Sequence, residues 1–195
     1  MSNEGFFVHP QAIVETADIG SGTRVWAFSH VMENVRLGAN CNIGEHCYLE
    51  SGVVVGDDVV IKNGVALWEG VSIEDRAFLG PNCVFTNGLY PRSKVVTSRV
   101  QTVVREGASI GANATIICGV EIGRYSLIGA GSVVTYNVPD FGLVMGNPAR
   151  LRGYVCRCGE KLNFSTGGQA KCVCDLIFER QGLGIRVVGQ TEVAQ

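Results

Sequence analysis

The chain has 195 residues, 26 of them Gly and only 5 Pro, with 17% charged side chains and a formal net charge of −2. Twenty-eight Val and 12 Ile against 11 Leu make it a β-branched, Gly-rich, charge-poor sequence. That excludes a helical bundle or coiled coil, which draws on Leu, Ala, Glu and Lys, and 46% hydrophobic residues exclude disorder. No apolar run approaches the ~18 residues of a membrane span. Met1-Ser2-Asn3-Glu4 lacks the basic and apolar regions of a signal peptide. The charge balance gives no bulk reason to bind nucleic acid. A cytoplasmic protein with neither membrane nor nucleic acid as partner is expected.

From Ile13 a large apolar residue recurs every six positions through Val25, Leu37, Leu49, Ile61 and Ile73 to Phe85, without a gap. A small or medium residue follows four positions after each, from Ala17 and Thr23 to Val71, Ala77 and Cys83. Gly or an acidic residue often comes directly after the large one, as at Gly20, Gly38, Gly44, Gly56, Glu74 and Gly80. The pattern breaks after Phe85 and resumes one residue out of phase at Ile110, Ile116, Ile122, Ile128 and Val134. A period of six is neither helical nor the period of two of an ordinary strand. It fits a short flat strand and a turn, three of which close a triangular coil of 18 residues. Stacked coils then pair their backbones and bury one continuous core. Six such coils are expected, with glycines at the corners.

These hexads resemble the hexapeptide-repeat acyltransferases. The resemblance implies an all-β fold, a left-handed parallel β-helix over residues 9–153, and a homotrimer with active sites between adjacent prisms. Residues 154–195 are expected to form a separate small tail.

Residues 88–105 leave the hexad and are read as an excursion loop. They carry Arg92, Lys94, Arg99 and Arg105 and no acidic residue, and guanidinium groups suit phosphate recognition. A solvated loop lying on the prism side is the plain alternative. The 18-residue coil stacks Glu33, Ser51, Glu69 and Asn87 in one column, Met32, Glu50, Trp68 and Thr86 in the next, and His30, Tyr48 and Ala66 in a third. The chain therefore enters the loop beside Trp68 and Glu69. An outward Trp among Glu, Asn, His and Tyr asks for cover, by a ligand or by a subunit interface.

Lys62-Asn63-Gly64-Val65-Ala66-Leu67-Trp68-Glu69-Gly70-Val71, Gly80-Pro81-Asn82, Val84-Phe85-Thr86-Asn87 and Tyr90-Pro91-Arg92-Ser93, with Trp26-Ala27-Phe28-Ser29-His30-Val31 upstream, are similar to the subgroup that acetylates nucleotide-linked 3-amino-3-deoxy sugars for cell-surface glycans, lipopolysaccharide O-antigen among them. One branch uses UDP-linked 3-amino glucuronates and the other dTDP-linked 3-amino-3,6-dideoxy hexoses; Trp68-Glu69-Gly70 and Tyr90-Pro91-Arg92-Ser93 lean to the second. The resemblance implies Asn87 as the group that orients the amine. His30 and Glu69 are placed in the site as the two candidate acceptors of its proton; their role is left open, because the resemblance offers the departing thiolate as a third acceptor. Asn63, Trp68, Thr86, Tyr90 and Arg92 are expected to bind the sugar nucleotide. For acetyl-CoA the resemblance implies Gly111, Ala112, Gly129, Ala130, Asn147, Pro148 and Arg150, with Arg152 beside them. A sugar or xenobiotic O-acetyltransferase on the same fold is the alternative, and a non-catalytic β-helix scaffold a third.

Of eight cysteines, Cys41, Cys47 and Cys83 fall in the small inward series and Cys118 in a turn. Cys156, Cys158, Cys172 and Cys174 lie beyond the hexads. Four thiols within 19 residues of a protein without a disulfide framework point to a structural zinc site on a hairpin. Both pairs are Cys-x-Cys rather than the commoner Cys-x₂-Cys, and redox-sensitive thiols or no role at all are the alternatives. The tail would then cap the open end of the prism.

Overall fold

The computed structural model describes residues 5–95, 99–182 and 184–190. Among them there is no helix. Strands of mostly two residues form three parallel sheets that wrap into the expected left-handed β-helix, followed by a three-stranded antiparallel sheet. We call the prism faces A, B and C in the order the chain visits them. Face A stacks Arg24–Val25, Asn42–Ile43, Val60–Ile61, Phe78–Leu79, Ser109–Ile110 and Leu127–Ile128. Face B stacks Ile13–Val14, His30–Val31, Tyr48–Leu49, Ala66–Leu67, Val84–Phe85, Thr115–Ile116 and Val133–Val134, and face C runs from Arg36–Leu37 to Glu121–Ile122. Face A also gains Phe7–Val8 below and Gly142–Met145 above. The prism therefore has eight levels there rather than six, about 34 Å at strand spacing.

The inward series is buried as the period predicts: Val25, Ile43, Leu49, Ile61, Leu67, Leu79, Ile110, Ile116 and Ile128 are all 0% exposed. Ile13 is the exception, at 57%. It pairs with His30, while Val14 pairs with Val31 and packs on the core. The first coil is one residue short of 18, and a one-residue slip turns a strand's inward side chain outward; Ala17 is exposed with it. The small series shows why its members are Thr, Ser and Cys as often as Val. Thr23 Oγ1 donates to the Gly38 carbonyl at 2.7 Å and accepts from the Cys41 N–H at 2.9 Å. Ser29 does the same with Gly44 and Cys47. Cys41 and Cys47 donate in turn to the carbonyls of Gly56 and Lys62. Each of these four side chains thus staples its coil to the next. Burial raises the thiol pKa of Cys41 and Cys47, and pushes that of Cys83 up to about 12.

The corners differ from expectation. A left-handed residue does recur every six positions, but it is often Asn34, Asn40, Asp58, Asn82 or Asn113, and at two stacked corners Phe28 and His46, whose rings lie 5.0 Å apart. The glycines that follow the strands have a different cause. A Cβ on Gly44 would stand 2.7 Å from the Asn63 amide nitrogen, and one on Gly111 2.5 Å from that of Ala130. The coils approach too closely there for any side chain. Gly111→Ala is therefore expected to cost about 1–3 kcal/mol by overpacking against backbone that cannot retreat, read as a lowered midpoint in denaturant; an unchanged midpoint would contradict the close approach.

The excursion is shorter than residues 88–105. Thr102–Val104 is a strand on face C, paired with Val71–Ile73 and with Glu121–Ile122, and Val104 is fully buried. Across the gap Val84 pairs with Thr115, 31 positions on rather than 18, so thirteen residues are inserted. They leave at the corner between faces B and C and return there, closed by a bond from the Val100 N–H to the Asn87 carbonyl at 3.2 Å. Arg105 belongs to the prism. It binds Glu74 at 2.7 Å and Glu121 at 3.0 Å, and its hydrogen bond holds the Glu121 carboxyl below the usual range.

Above the prism, Gly142–Met145 pairs antiparallel with Arg150–Tyr154, and the chain continues into strands Gln169–Lys171, Leu176–Gln181 and Gly184–Gln190. A second small core forms around Tyr154, Leu162, Leu176, Phe178 and Ile185. Phe141 joins it to the prism, stacked on Tyr125 at 5.6 Å and edge-on to Phe178 at 5.4 Å, so the tail covers the upper end. Residues 191–195 of the expected tail lie outside the described residues.

Candidate active site

The corner between faces B and C collects most of the residues expected to act. Trp68 lies over the core edge and donates from Nε1 to the Phe85 carbonyl at 2.8 Å. Its ring is 5.5 Å from Tyr48, which stacks edge-on to His30 at 5.6 Å. Glu69 is one coil below Asn87. Its backbone N–H donates to Glu50 at 2.7 Å, and its carboxylate is ion-paired with Arg99 on the returning arm of the loop. Asn87 is half-buried at the root of that loop, while Tyr90 (79% exposed) and Arg92 stand out from it.

The three residues expected to act in catalysis do not form one cluster. His30 lies three coils below Val84 by the strand pairing, about 14 Å at strand spacing, too far to share a reacting atom with Asn87. It faces Glu15 instead, with Nε2 3.3 Å from the carboxylate. Two expected substrate residues are engaged in the fold. Asn63 Oδ1 accepts from the Glu45 N–H at 3.2 Å, as Asp57 and Asp75 do for the coils below them on another corner. Thr86 Oγ1 accepts from the Cys118 N–H at 2.9 Å. Of the loop's four cations, Arg99 and Arg105 are paired with carboxylates, while Arg92 and Lys94 are exposed.

The residues expected for acetyl-CoA divide. Gly111, Ala112, Gly129 and Ala130 lie at the other corner, between faces A and B, stacked one coil above the other. That is one prism side from Asn87, roughly 15–20 Å at the rise of a strand. Asn147 and Pro148, joined by a cis peptide bond, are exposed at the top of the prism. Arg150 follows, its guanidinium 5.9 Å from the centre of the Tyr136 ring.

The four tail cysteines come together. All their sulfurs lie within 4.8 Å of one another, with Cys156 to Cys174 and Cys158 to Cys172 at 3.4 Å. The two Cys-x-Cys turns repeat one geometry. The Cys156 N–H donates to the Glu160 carbonyl at 2.8 Å and the Gly159 N–H to the Cys156 carbonyl at 2.9 Å. The Cys172 N–H donates to the Leu176 carbonyl at 2.9 Å and the Asp175 N–H to the Cys172 carbonyl at 3.0 Å. Gly159 and Asp175, at matching positions, both have positive φ, 94° and 67°. A hydrogen bond from the Leu176 N–H lowers the Cys174 thiol pKa to about 7, while burial raises those of Cys156 and Cys172.

The sequence matches the bacterial transferase hexapeptide family (six repeats) over residues 16–51, 52–87 and 101–136; the chain belongs to that family, and the gap in the match falls on the excursion loop. It is 53% identical over 174 residues, covering 89% of this chain and 90% of the relative, to the dTDP-3-amino-3,6-dideoxy-alpha-D-galactopyranose 3-N-acetyltransferase of Aneurinibacillus thermoaerophilus. Two solved structures are similar. A hexapeptide-repeat acetyltransferase from Vibrio cholerae, complexed with acetyl-CoA, is 29% identical with a TM-score of 0.55, covering 60% of this chain and 69% of that one. PerB from Caulobacter crescentus, in complex with CoA and GDP-perosamine, is 25% identical with a TM-score of 0.57, covering 76% and 58%.

Proposed function

We propose that the protein is an acetyl-CoA-dependent N-acetyltransferase acting on the 3-amino group of a dTDP-linked 3-amino-3,6-dideoxy hexose, in the biosynthesis of a cell-surface glycan such as lipopolysaccharide O-antigen. The observation that carries this is the 53% identity to an enzyme of that activity over nearly the whole of both chains, with Trp68, Glu69, Asn87 and the basic loop gathered at one corner. The neutral amine attacks the thioester carbonyl, a C–N bond forms, the C–S bond breaks and the thiolate leaves. Asn87 orients the amine through its side-chain carbonyl. The ammonium's proton passes to the departing thiolate. That route is favoured because His30 is three coils away and the Glu69 carboxylate is engaged by Arg99. It also separates the proposal from O-acetyl transfer, which needs a base beside a hydroxyl.

The enzyme works as a homotrimer in the cytoplasm. Asn87 and the glycine column at the A–B corner lie one prism side apart on a single chain, and two neighbouring prisms can bring such corners together. No helix among the described residues is long and apolar enough to cross a membrane. The tail holds a structural zinc ion on Cys156, Cys158, Cys172 and Cys174: tetrahedral thiolates at ~2.3 Å from the metal have sulfurs about 3.8 Å apart, close to the spacing of this cluster. When bound, zinc ties the two turns together; the proposed reaction does not pass through it.

The test is release of CoA thiol from acetyl-CoA with a panel of dTDP- and UDP-linked amino sugars, C4 epimers included. Turnover is expected with the dTDP-linked 3-amino-3,6-dideoxy hexoses. None with any 3-amino sugar nucleotide would defeat the proposal, and turnover with hydroxyl acceptors alone would put O-acetyl transfer in its place.

A further inference from the structure

The small inward series of face C reads Val35, Val53, Val71, Thr102 and Val120, one residue per level by the strand pairing. A single hydroxyl thus stands among valines, at the level where the excursion loop rejoins the prism. Val and Thr have nearly the same shape, so packing alone does not call for the exchange. Thr102 is fully buried, and its Oγ1 accepts from the Gly119 N–H at 3.2 Å. Its own N–H donates to the Gly70 carbonyl at 3.0 Å. Gly70 and Gly119 are the B–C corner residues of the coils directly below and above the loop. The strand on which the loop returns is therefore tied to both of them, and the tie to the upper one needs the hydroxyl.

Val100, two residues before Thr102, closes the loop through its N–H to the Asn87 carbonyl. It is seated between the same two corners. A Cβ on Gly119 would stand 3.0 Å from Val100 Cγ1, and the nearest atom to a Cβ on Gly70 would be the Val100 carbonyl oxygen at 3.6 Å. The upper contact is the tighter, so the Val100 side chain rests on Gly119. Arg99, the next residue of the returning arm, is ion-paired with Glu69. A continuous set of contacts thus runs from the Thr102 hydroxyl to Gly119, from Gly119 to Val100, and from Val100 to the backbone of Asn87. Moving any member moves the root of the loop.

We propose that Thr102, Gly119 and Val100 form a clamp that sets the position of Asn87, and that all three are positioning residues for acetyl transfer. The Thr102 hydroxyl fixes Gly119, Gly119 seats Val100, and the Val100 N–H holds the Asn87 backbone where its side-chain carbonyl meets the sugar amine. This rests on the acetyl-transfer reading and adds to it three residues that act through Asn87. A shift of about 1 Å at the reacting centre can cost up to ~10² in rate, so a buried hydroxyl two residues beyond the loop is close enough to govern turnover.

The experiment is steady-state kinetics of the full chain with acetyl-CoA and a dTDP-linked 3-amino-3,6-dideoxy hexose, alongside thermal melts. Thr102→Val restores the valine found at the other levels. It is expected to lower kcat about tenfold and to leave the KM for acetyl-CoA within about twofold. Thr102→Ser, which keeps the acceptor for Gly119, is expected to recover most of that loss. Gly119→Ala pushes on Val100 and lowers kcat as well; adding Val100→Ala frees the space and is expected to bring kcat back towards wild type. The clamp is overturned if Thr102→Val turns over within about twofold of wild type, if Ser and Val at 102 are equally impaired, or if Val100→Ala brings no relief to Gly119→Ala. A lowered melting temperature with unchanged kcat makes Thr102 a residue of the fold alone. Each of these results leaves acetyl transfer standing. A wild type without turnover on any 3-amino sugar nucleotide defeats acetyl transfer instead, and with it the role of Asn87 on which the clamp depends.

Discussion

Asn87→Ala is expected to lower kcat by about 10²–10³, the range for loss of a group that aligns or polarises the reacting centre, and to leave the affinity for CoA within twofold. The residue sits where the prism coil ends and the loop begins, and its backbone is fixed from both sides. The Thr86 N–H donates to the Ile116 carbonyl at 3.1 Å, and the Asn87 carbonyl accepts from Val100 at 3.2 Å. Its side chain is therefore held at the mouth of the loop without being part of the hydrogen-bonded ladder. Neighbouring Thr86 gives the contrast. Its hydroxyl receives the Cys118 N–H, so Thr86→Val leaves a buried donor unsatisfied and lowers stability by about 1–3 kcal/mol. A kinetic split distinguishes the two: Asn87→Ala lowers kcat with a normal melting temperature, while Thr86→Val lowers the melting temperature. A kcat within threefold of wild type, or a rise confined to the KM for acetyl-CoA, would remove Asn87 from the acceptor site.

The prism was legible because its signal is redundant: seventeen inward positions each repeat one choice, and Phe85, Val104 and Ile110 show how the coil survives an insertion. Its edges were not, because there the signal rests on single residues. Ile13 satisfies the period yet faces solvent, since the first coil is one residue short and Val14 takes the inward place. Val104 and Ala108 are hexad residues that the surrounding arginines concealed, so the loop read four residues too long. The glycines were legible as special positions but not for their cause. Gly44 and Gly111 answer to the backbone of the coil above, a contact with no local trace in the sequence. At the site, the 18-residue spacing placed Trp68, Glu69 and Asn87 correctly on neighbouring coils. It also separates His30 from Asn87 by three coils, a consequence of the same arithmetic. The Glu69–Arg99 pair lies across an irregular segment, where no period relates the partners.

Cys172→Ser is expected to remove zinc from the protein, from about one ion per chain to less than about 0.2, because a tetrahedral site with one hard ligand loses the thiolate set that binds tightly. The structural consequence is confined to the tail. The prism has its own core, while the second core consists of a few side chains around Phe178 and the cysteines, too small to order that much chain without a cross-link. The tail should open while the prism stays folded, giving an early, low-amplitude transition ahead of the main melt and rapid proteolysis after Tyr154. Cys118→Ser, a buried thiol outside the cluster, should keep both zinc and the single transition. Zinc-free wild-type protein with an intact tail would show that the four thiols pack without a metal.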